Sequence, residues 1–159
     1  WDEHFRAVYE RPQWIDKPLF YLHVPSRTDE SCAPPGGEAV FLLVPVASGL
    51  PDTPDRRRYY LEHVLDRIAE ATGRDLRENL VFQTEMSIND FERDYNAYKG
   101  NAFGLGQTLF QTAWFRPPNR SKKVRNLYYA GQYTVPGTGT TMSMISGEVT
   151  AMRIKKELG

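Results

Sequence analysis

Residues 131–139 read Gly-Gln-Tyr-Thr-Val-Pro-Gly-Thr-Gly, and no regular strand or helix can run through Gly131, Pro136, Gly137 and Gly139. Glycine visits backbone angles closed to other residues, and proline brings no amide donor. Whatever flanks this segment must therefore be two separate elements joined by a tight loop. Before it, Asn126-Leu127-Tyr128-Tyr129-Ala130-Gly131 reads as a short buried strand ending in glycine. After it, residues 141–158 read as a helix to the end of the chain, with Lys155 and Lys156 suited to its negative pole. Ser143, Ser146, Gly147, Thr150 and Ala151 keep one side of that helix thin, so its backbone can approach a sheet or a flat ligand closely. Its first N–H groups, near residues 139–142, have no intrahelical acceptor and carry partial positive charge. Such an end suits an anion or an electron-rich carbonyl oxygen. Gly137-Thr138-Gly139-Thr140-Thr141-Met142 begins like a GxGxxG dinucleotide fingerprint but ends in Met142, and no second strand with its acidic residue follows. As a fingerprint it is weak. The plainer alternative is a glycine turn before a surface helix.

Upstream, the longest apolar run is Ala39-Val40-Phe41-Leu42-Leu43-Val44-Pro45-Val46, far short of the ~18 residues of a spanning helix. It reads as a buried strand, paired antiparallel with Leu19-Phe20-Tyr21-Leu22-His23-Val24. The connection between them is long and turns at Pro34-Pro35-Gly36-Gly37. The clearest helix opens at Thr53-Pro54, carries Leu61, Val64, Leu65 and Ile68 on one face, and ends at Gly73. A turn of helix is expected at residues 75–79, a strand at Leu80-Val81-Phe82-Gln83-Thr84, and a short helix opening within residues 87–91, with Ser87 or Asn89 as its cap. Residues 95–106 are aromatic and glycine-rich, hence a loop or a packed crossing. Pro117-Pro118-Asn119-Arg120-Ser121-Lys122-Lys123 is a turn and the best internal boundary.

With 159 residues the chain has the size of one ordinary domain, and 20 Lys+Arg against 20 Asp+Glu leave it neutral. Neutrality excludes a strongly basic nucleic-acid binder and an acidic tail protein. The single cysteine, Cys32, excludes an internal disulfide and a multi-cysteine metal site, and fits a reducing compartment. His4, His23 and His63 stand alone, no pair has metal spacing, and no metal site is expected. Ser26 and Ser146 lack a nucleophile elbow. No side chain presents itself as a catalytic acid or base, so catalytic residues are left unassigned. The chain opens on Trp1 with neither a signal-peptide pattern nor an early phosphate loop, so the expectation is a piece of something larger.

Tyr129-Ala130-Gly131-Gln132-Tyr133-Thr134-Val135-Pro136-Gly137-Thr138-Gly139, followed by Ser146-Gly147-Glu148-Val149-Thr150-Ala151, resembles the C-terminal motif of the bacterial-type phytoene (carotenoid) desaturases. These are FAD-dependent members of the flavin amine oxidase superfamily. Phe20-Tyr21-Leu22-His23-Val24-Pro25-Ser26-Arg27-Thr28-Asp29, Val40-Phe41-Leu42-Leu43-Val44-Pro45, Phe115-Arg116-Pro117 and Asn119-Arg120-Ser121 extend the likeness, in order, over most of the chain. The resemblance implies an α/β (mixed α+β) chain: the C-terminal part of an FAD/NAD(P)-binding, Rossmann-like fold with part of a mixed-sheet substrate domain. Residues 1–116 would belong to the substrate domain, and 117–159 would supply the closing strand and helix of the FAD domain. The parent would be a phytoene dehydrogenase of carotenoid biosynthesis, about three times as long, removing hydrogens from a long isoprenoid polyene. The fragment alone is expected to be inactive and to bind FAD poorly.

The same likeness implies that Gly131, Gln132, Pro136, Gly137, Gly139, Thr140, Thr141 and Met142 contact the cofactor. Thr140, Thr141 and Met142 would lie at the flavin pyrimidine edge, and Gly131 and Gln132 near the ribityl-pyrophosphate. Many relatives carry His-Pro-Gly where this chain has Val135-Pro136-Gly137, which leaves open which carotenoid is the substrate. Phe103, Leu105, Phe110 and Trp114 belong to a dense apolar set that is either core or the wall of a polyene tunnel. Arg56, Arg57, Arg58, Tyr59 and Tyr60 form either a solvated helix start or a membrane contact, which would put the protein in the cytoplasm, at the inner face of the membrane. The rival readings are a carotenoid isomerase or another flavin oxidoreductase of that superfamily, and a non-catalytic isoprenoid- or membrane-binding module.

Overall fold

The structure is a computed structural model that describes residues 1–106 and 108–158. It is mainly helical with few strands, consistent with the α/β class, and divides into two compact units, Trp1–Asn101 and Ala102–Gly159. The segment 102–116, expected with the substrate portion, therefore falls in the second unit. Gly159, included in the expected closing segment, lies outside the described residues.

In the first unit, helix α1 (Asp2–Tyr9) was not anticipated from the sequence. Only His4 and Ala7 of it are buried, so its apolar signal is slight. His4 fastens it: Nδ1 accepts the Leu19 amide at 2.7 Å, which leaves Nε2 to donate to the Pro45 carbonyl at 2.7 Å. One imidazole thus bridges the two chain stretches that lead into and out of a small ribbon. That ribbon is β1 (Tyr21–His23) antiparallel to β2 (Phe41–Leu43), in register Tyr21 to Leu43, Leu22 to Leu42 and His23 to Phe41. The expected pairing is present, but the strands are shorter than expected and largely exposed. Prolines at 18, 25 and 45 remove ladder donors around both strands, and no second layer of this unit covers the ribbon.

Helix α2 (Pro54–Thr72) follows the sequence signals closely. The Thr53 side chain accepts the Arg56 amide, Pro54 takes the first turn, and Gly73 closes the helix at φ +71°. Tyr60, Val64, Leu65 and Ile68 are its buried face. The Tyr60 hydroxyl both donates to the Ile15 carbonyl (2.9 Å) and accepts the Ile15 amide (3.0 Å), while Trp14 meets its ring edge-on at 4.9 Å. Burial pushes the Tyr60 phenol above its ordinary value.

Helix α3 (Ile88–Tyr95) starts with a capping box between Ser87 and Asp90. An ion-pair network ties its start to that of α2. Arg57 grips Asp52 with two bonds (2.7 and 2.6 Å) and reaches Asp90 at 2.7 Å, and Asp52 also accepts the Asn89 amide. Burial pulls the Asp52 carboxyl up, but the bonds from Arg57 and Asn89 outweigh it and hold it below the usual range. Asp90 is held low first by the Ser87 amide, then by Arg57. After α3 the chain turns back through Gly100 at φ +63°, where a Cβ would lie 2.2 Å from the Ile88 carbonyl oxygen.

Two expected strands do not form. Residues 80–84 form no regular element and are exposed, Val81 by 98%, and among the described residues no strand pairs with them. At 126–131 there is only a single bridge, Arg120 to Tyr128, flanked by bonds from Ser121 N to Leu127 O and from Tyr129 N to Asn119 O. Both segments carry strand composition, but a strand needs a partner along its length, and among the described residues neither segment has one. Helix α4 (Thr140–Leu158) forms as expected, starting one residue earlier. Its Ser146 and Thr150 are buried, and near its far end Glu157 accepts from the Tyr128 hydroxyl and pairs with Arg120 and Arg153.

Substituting Gly100→Ala should cost about 3 kcal/mol or more, because it combines a positive φ with a backbone clash; denaturant unfolding measures it. The Arg57 network sets an acid limit. Both carboxyls titrate lower folded than unfolded, so their contribution is complete above the unfolded value and disappears as pH falls through the folded one. Stability should thus be level from pH 7 to about 5 and fall below about 4, and Asp90→Asn should blunt that fall in a pH series of thermal melts.

Candidate functional site: the loop ahead of the last helix

The loop at 131–139 is held from behind by buried polar side chains. Asn119, only 2% exposed, places Nδ2 at 3.1–3.2 Å from the Tyr129 and Val135 carbonyls, the Thr134 hydroxyl and the Ser146 hydroxyl. Its two protons are shared among four acceptors, which binds the loop to the thin face of α4. The Ser146 hydroxyl accepts the Gly131 amide at 3.1 Å and lies 2.8 Å from the Thr134 hydroxyl. Within the loop, the Thr134 amide returns to the Gly131 carbonyl at 3.2 Å. Thr150 adds a bond to the Tyr129 carbonyl at 3.0 Å.

A second clamp is Arg116, 3% exposed. Its fork donates to the carbonyls of Thr134 (3.0 Å), Gln111 (2.9 Å) and Gln132, and meets the Thr138 hydroxyl at 3.4 Å. The Thr138 hydroxyl in turn donates to the Phe103 carbonyl at 2.9 Å. The Val135-Pro136 peptide is cis.

The inner side of the loop is thus saturated, while its outer side is open. Gly131 (φ +106°) and Gly139 (φ +115°) have no atom within 4 Å of where a Cβ would sit. The first bond of α4 runs from the Ser143 amide to the Gly139 carbonyl at 2.8 Å, so helix geometry leaves the Thr140, Thr141 and Met142 amides without an intrahelical acceptor. Bare glycines beside free donors fit a flat, carbonyl-bearing ring. Of the expected cofactor residues, Gly131 and Gln132 are half-buried, Gly137 is buried, and Pro136, Gly139, Thr140, Thr141 and Met142 are exposed. All lie on one continuous loop and helix start.

The other expected residues are placed differently. Phe103, Phe110 and Trp114 are exposed, Trp114 by 96%, and Leu105 is half-buried; Phe110 meets the Phe115 ring edge-on at 5.6 Å. In the first unit Arg57 and Tyr60 are turned inward, into the Asp52–Asp90 network and onto Ile15. Arg56 lies over the Trp14 and Tyr59 rings. Arg58 and Tyr59 remain exposed. Asn119, Arg116 and Thr134 were not assigned a role from the sequence, and Thr150 was read only as part of the thin face of the last helix. For Arg116 and Asn119 a signal was present, a polar pair set among prolines, Arg116-Pro117-Pro118-Asn119, ahead of the glycine loop.

The model for flavin-containing amine oxidoreductases matches residues 5–155. The chain belongs to that family. It is 47% identical over 99% of its length to a carotenoid 3,4-desaturase of Haloarcula japonica, covering 32% of that protein. It is 35% identical over 98% of its length to a phytoene desaturase of Neurospora crassa, covering 27% of it. It is 34% identical over 90% of its length to a 4,4'-diapophytoene desaturase of Staphylococcus haemolyticus, covering 30% of it. The chain therefore spans about a third of the length of these relatives.

Asn119→Ala should take one of two donors from each of the Tyr129 and Val135 carbonyls, leaving them the Thr150 and Thr134 hydroxyls, and cost about 1–2 kcal/mol. Hydrogen exchange should show the Gly131 and Thr134 amides losing protection more than amides in the middle of α4.

Proposed function

We propose that this chain is the C-terminal portion of an FAD-dependent carotenoid desaturase that removes hydrogens from a long isoprenoid polyene. The observation that carries the reading is the 47% identity to a carotenoid 3,4-desaturase, sustained over 99% of the chain. Membership of a flavin-containing family supports a flavin, and FAD is the form we assign. On this reading, residues 117–159 close a Rossmann-like FAD-binding domain, and residues 1–116 contribute to the substrate domain.

Bound flavin supplies the electron acceptor that carbon–carbon desaturation needs. The chain's own part is to hold and orient it. Gly131, Gly137 and Gly139, together with Gln132 and Pro136, would line the cofactor, with open backbone at Gly131 and Gly139. The Thr140, Thr141 and Met142 amides offer donors to ring oxygens, where negative charge is best stabilised by prepositioned N–H groups. Phe103, Leu105, Phe110 and Trp114 would serve a long apolar substrate, since exposed aromatic rings of this kind mark contact surfaces. For contact with a membrane, from which such a substrate must be drawn, Arg58 and Tyr59 are the available members of the basic-aromatic cluster. This favours a place at the inner face of the membrane.

The test is to purify the full-length protein that carries this chain and supply it with carotenoid substrates in lipid vesicles. Copurifying flavin and products with added double bonds are expected. A colourless protein, or one that only isomerises the polyene, would overturn the reading.

A further inference from the structure

Arg116 and Asn119 hold the same loop side by side, yet one is neutral and the other is charged. Asn119 shows that a neutral amide suffices to satisfy inward-facing carbonyls here. Arg116 does a similar task with a full positive charge, 3% exposed, and among the described residues no carboxylate pairs with it. Its partners are the Gln111, Gln132 and Thr134 carbonyls and the Thr138 hydroxyl, all uncharged. Burying an unpaired cation is costly, so dipoles alone are poor compensation for it. The charge sits directly behind the loop whose open side also presents the positive end of α4. Both contributions have the same sign. Together they make the open side a place for something that carries, or acquires, negative charge.

Peptide planarity adds a directional element. With the Gln132 carbonyl turned in to Arg116, the Tyr133 amide on the same plane must point away from the guanidinium. The Val135 amide, by contrast, is already taken by the Pro117 carbonyl at 3.3 Å.

We propose that Arg116 is a positioning and charge-setting residue for the flavin: its fork fixes the Gln132 and Thr134 peptide planes, and its uncompensated charge favours the more negative, reduced form of the cofactor over the oxidised one. The proposal rests on the flavin-binding reading above. Arg116 acts through the loop and is not a catalytic residue.

The experiment uses the full-length protein with three substitutions, reading the affinity for FAD and the midpoint potential of the bound flavin. Arg116→Gln removes the charge and keeps a donor. The ratio of reduced to oxidised affinity should fall about tenfold, which for a two-electron couple lowers the potential by about 30 mV. Arg116→Lys keeps the charge but cannot span three carbonyls. It should weaken both forms by about tenfold and leave the potential in place. Thr138→Asp sets a carboxylate beside the guanidinium while leaving the arginine intact, and should lower the potential as Arg116→Gln does, which keeps the test decisive if that variant fails to fold. Wild-type potential in Arg116→Gln or Thr138→Asp overturns the charge-setting role. Undiminished flavin affinity in Arg116→Lys overturns the positioning role. A wild-type protein that takes up no flavin overturns the underlying reading and the inference with it, whereas flavin-loaded wild type with unaltered variants overturns the inference alone.

Discussion

The hydroxyl of Ser146 is the point on which the second unit is organised. It lies on the thin face of α4, fully buried, and receives both the Gly131 amide and the Asn119 amide beside the Thr134 hydroxyl. A larger side chain at this position would push the helix off the loop, and an apolar one would take the Gly131 amide's acceptor and remove one partner each from Asn119 and Thr134. Because the helix and the loop share this contact, the start of α4 and the glycines before it have one geometry relative to each other. Everything that the open side of the loop can bind follows from that.

The first unit achieves order by other means. Its apolar core is small, comprising Ala7, Ile15, Ala47 and the inner face of α2 with Ile88. Polar ties carry much of the specificity: His4 to two backbone groups, Tyr60 to both sides of Ile15, and Arg57 to two carboxylates. Such ties are demanding because each loses far more when broken than it gains when formed. They also account for the basic-aromatic cluster at the start of α2, where two of its members, Arg57 and Tyr60, are bound internally.

Local signals in the sequence were legible where they were self-contained. Thr53-Pro54 and Gly73 delimit α2, Ser87 opens α3, and residues 131–139 form the loop they spell. Each of these needs only nearby residues. The strand at 80–84 and the one at 126–131 failed because a strand is completed by its neighbour, which composition does not supply. Helix α1 went unseen because its buried side is two residues, one of them a histidine. The candidate site was legible in its glycines and helix start, which are local, and illegible in Arg116 and Asn119, whose partners lie up to 27 residues away along the chain.

The Tyr60–Ile15 pair joins residues 45 apart, and His4 and Pro45 are 41 apart, whereas Asn119 meets its partners across 10 to 27 residues. Chain closure entropy rises with the logarithm of loop length, so a threefold longer loop costs about 1 kcal/mol more before any contact repays it. The Asn119 ties of the glycine loop therefore ask less chain closure than the His4 and Tyr60 ties, and the first unit's stability depends more on holding distant stretches of chain together.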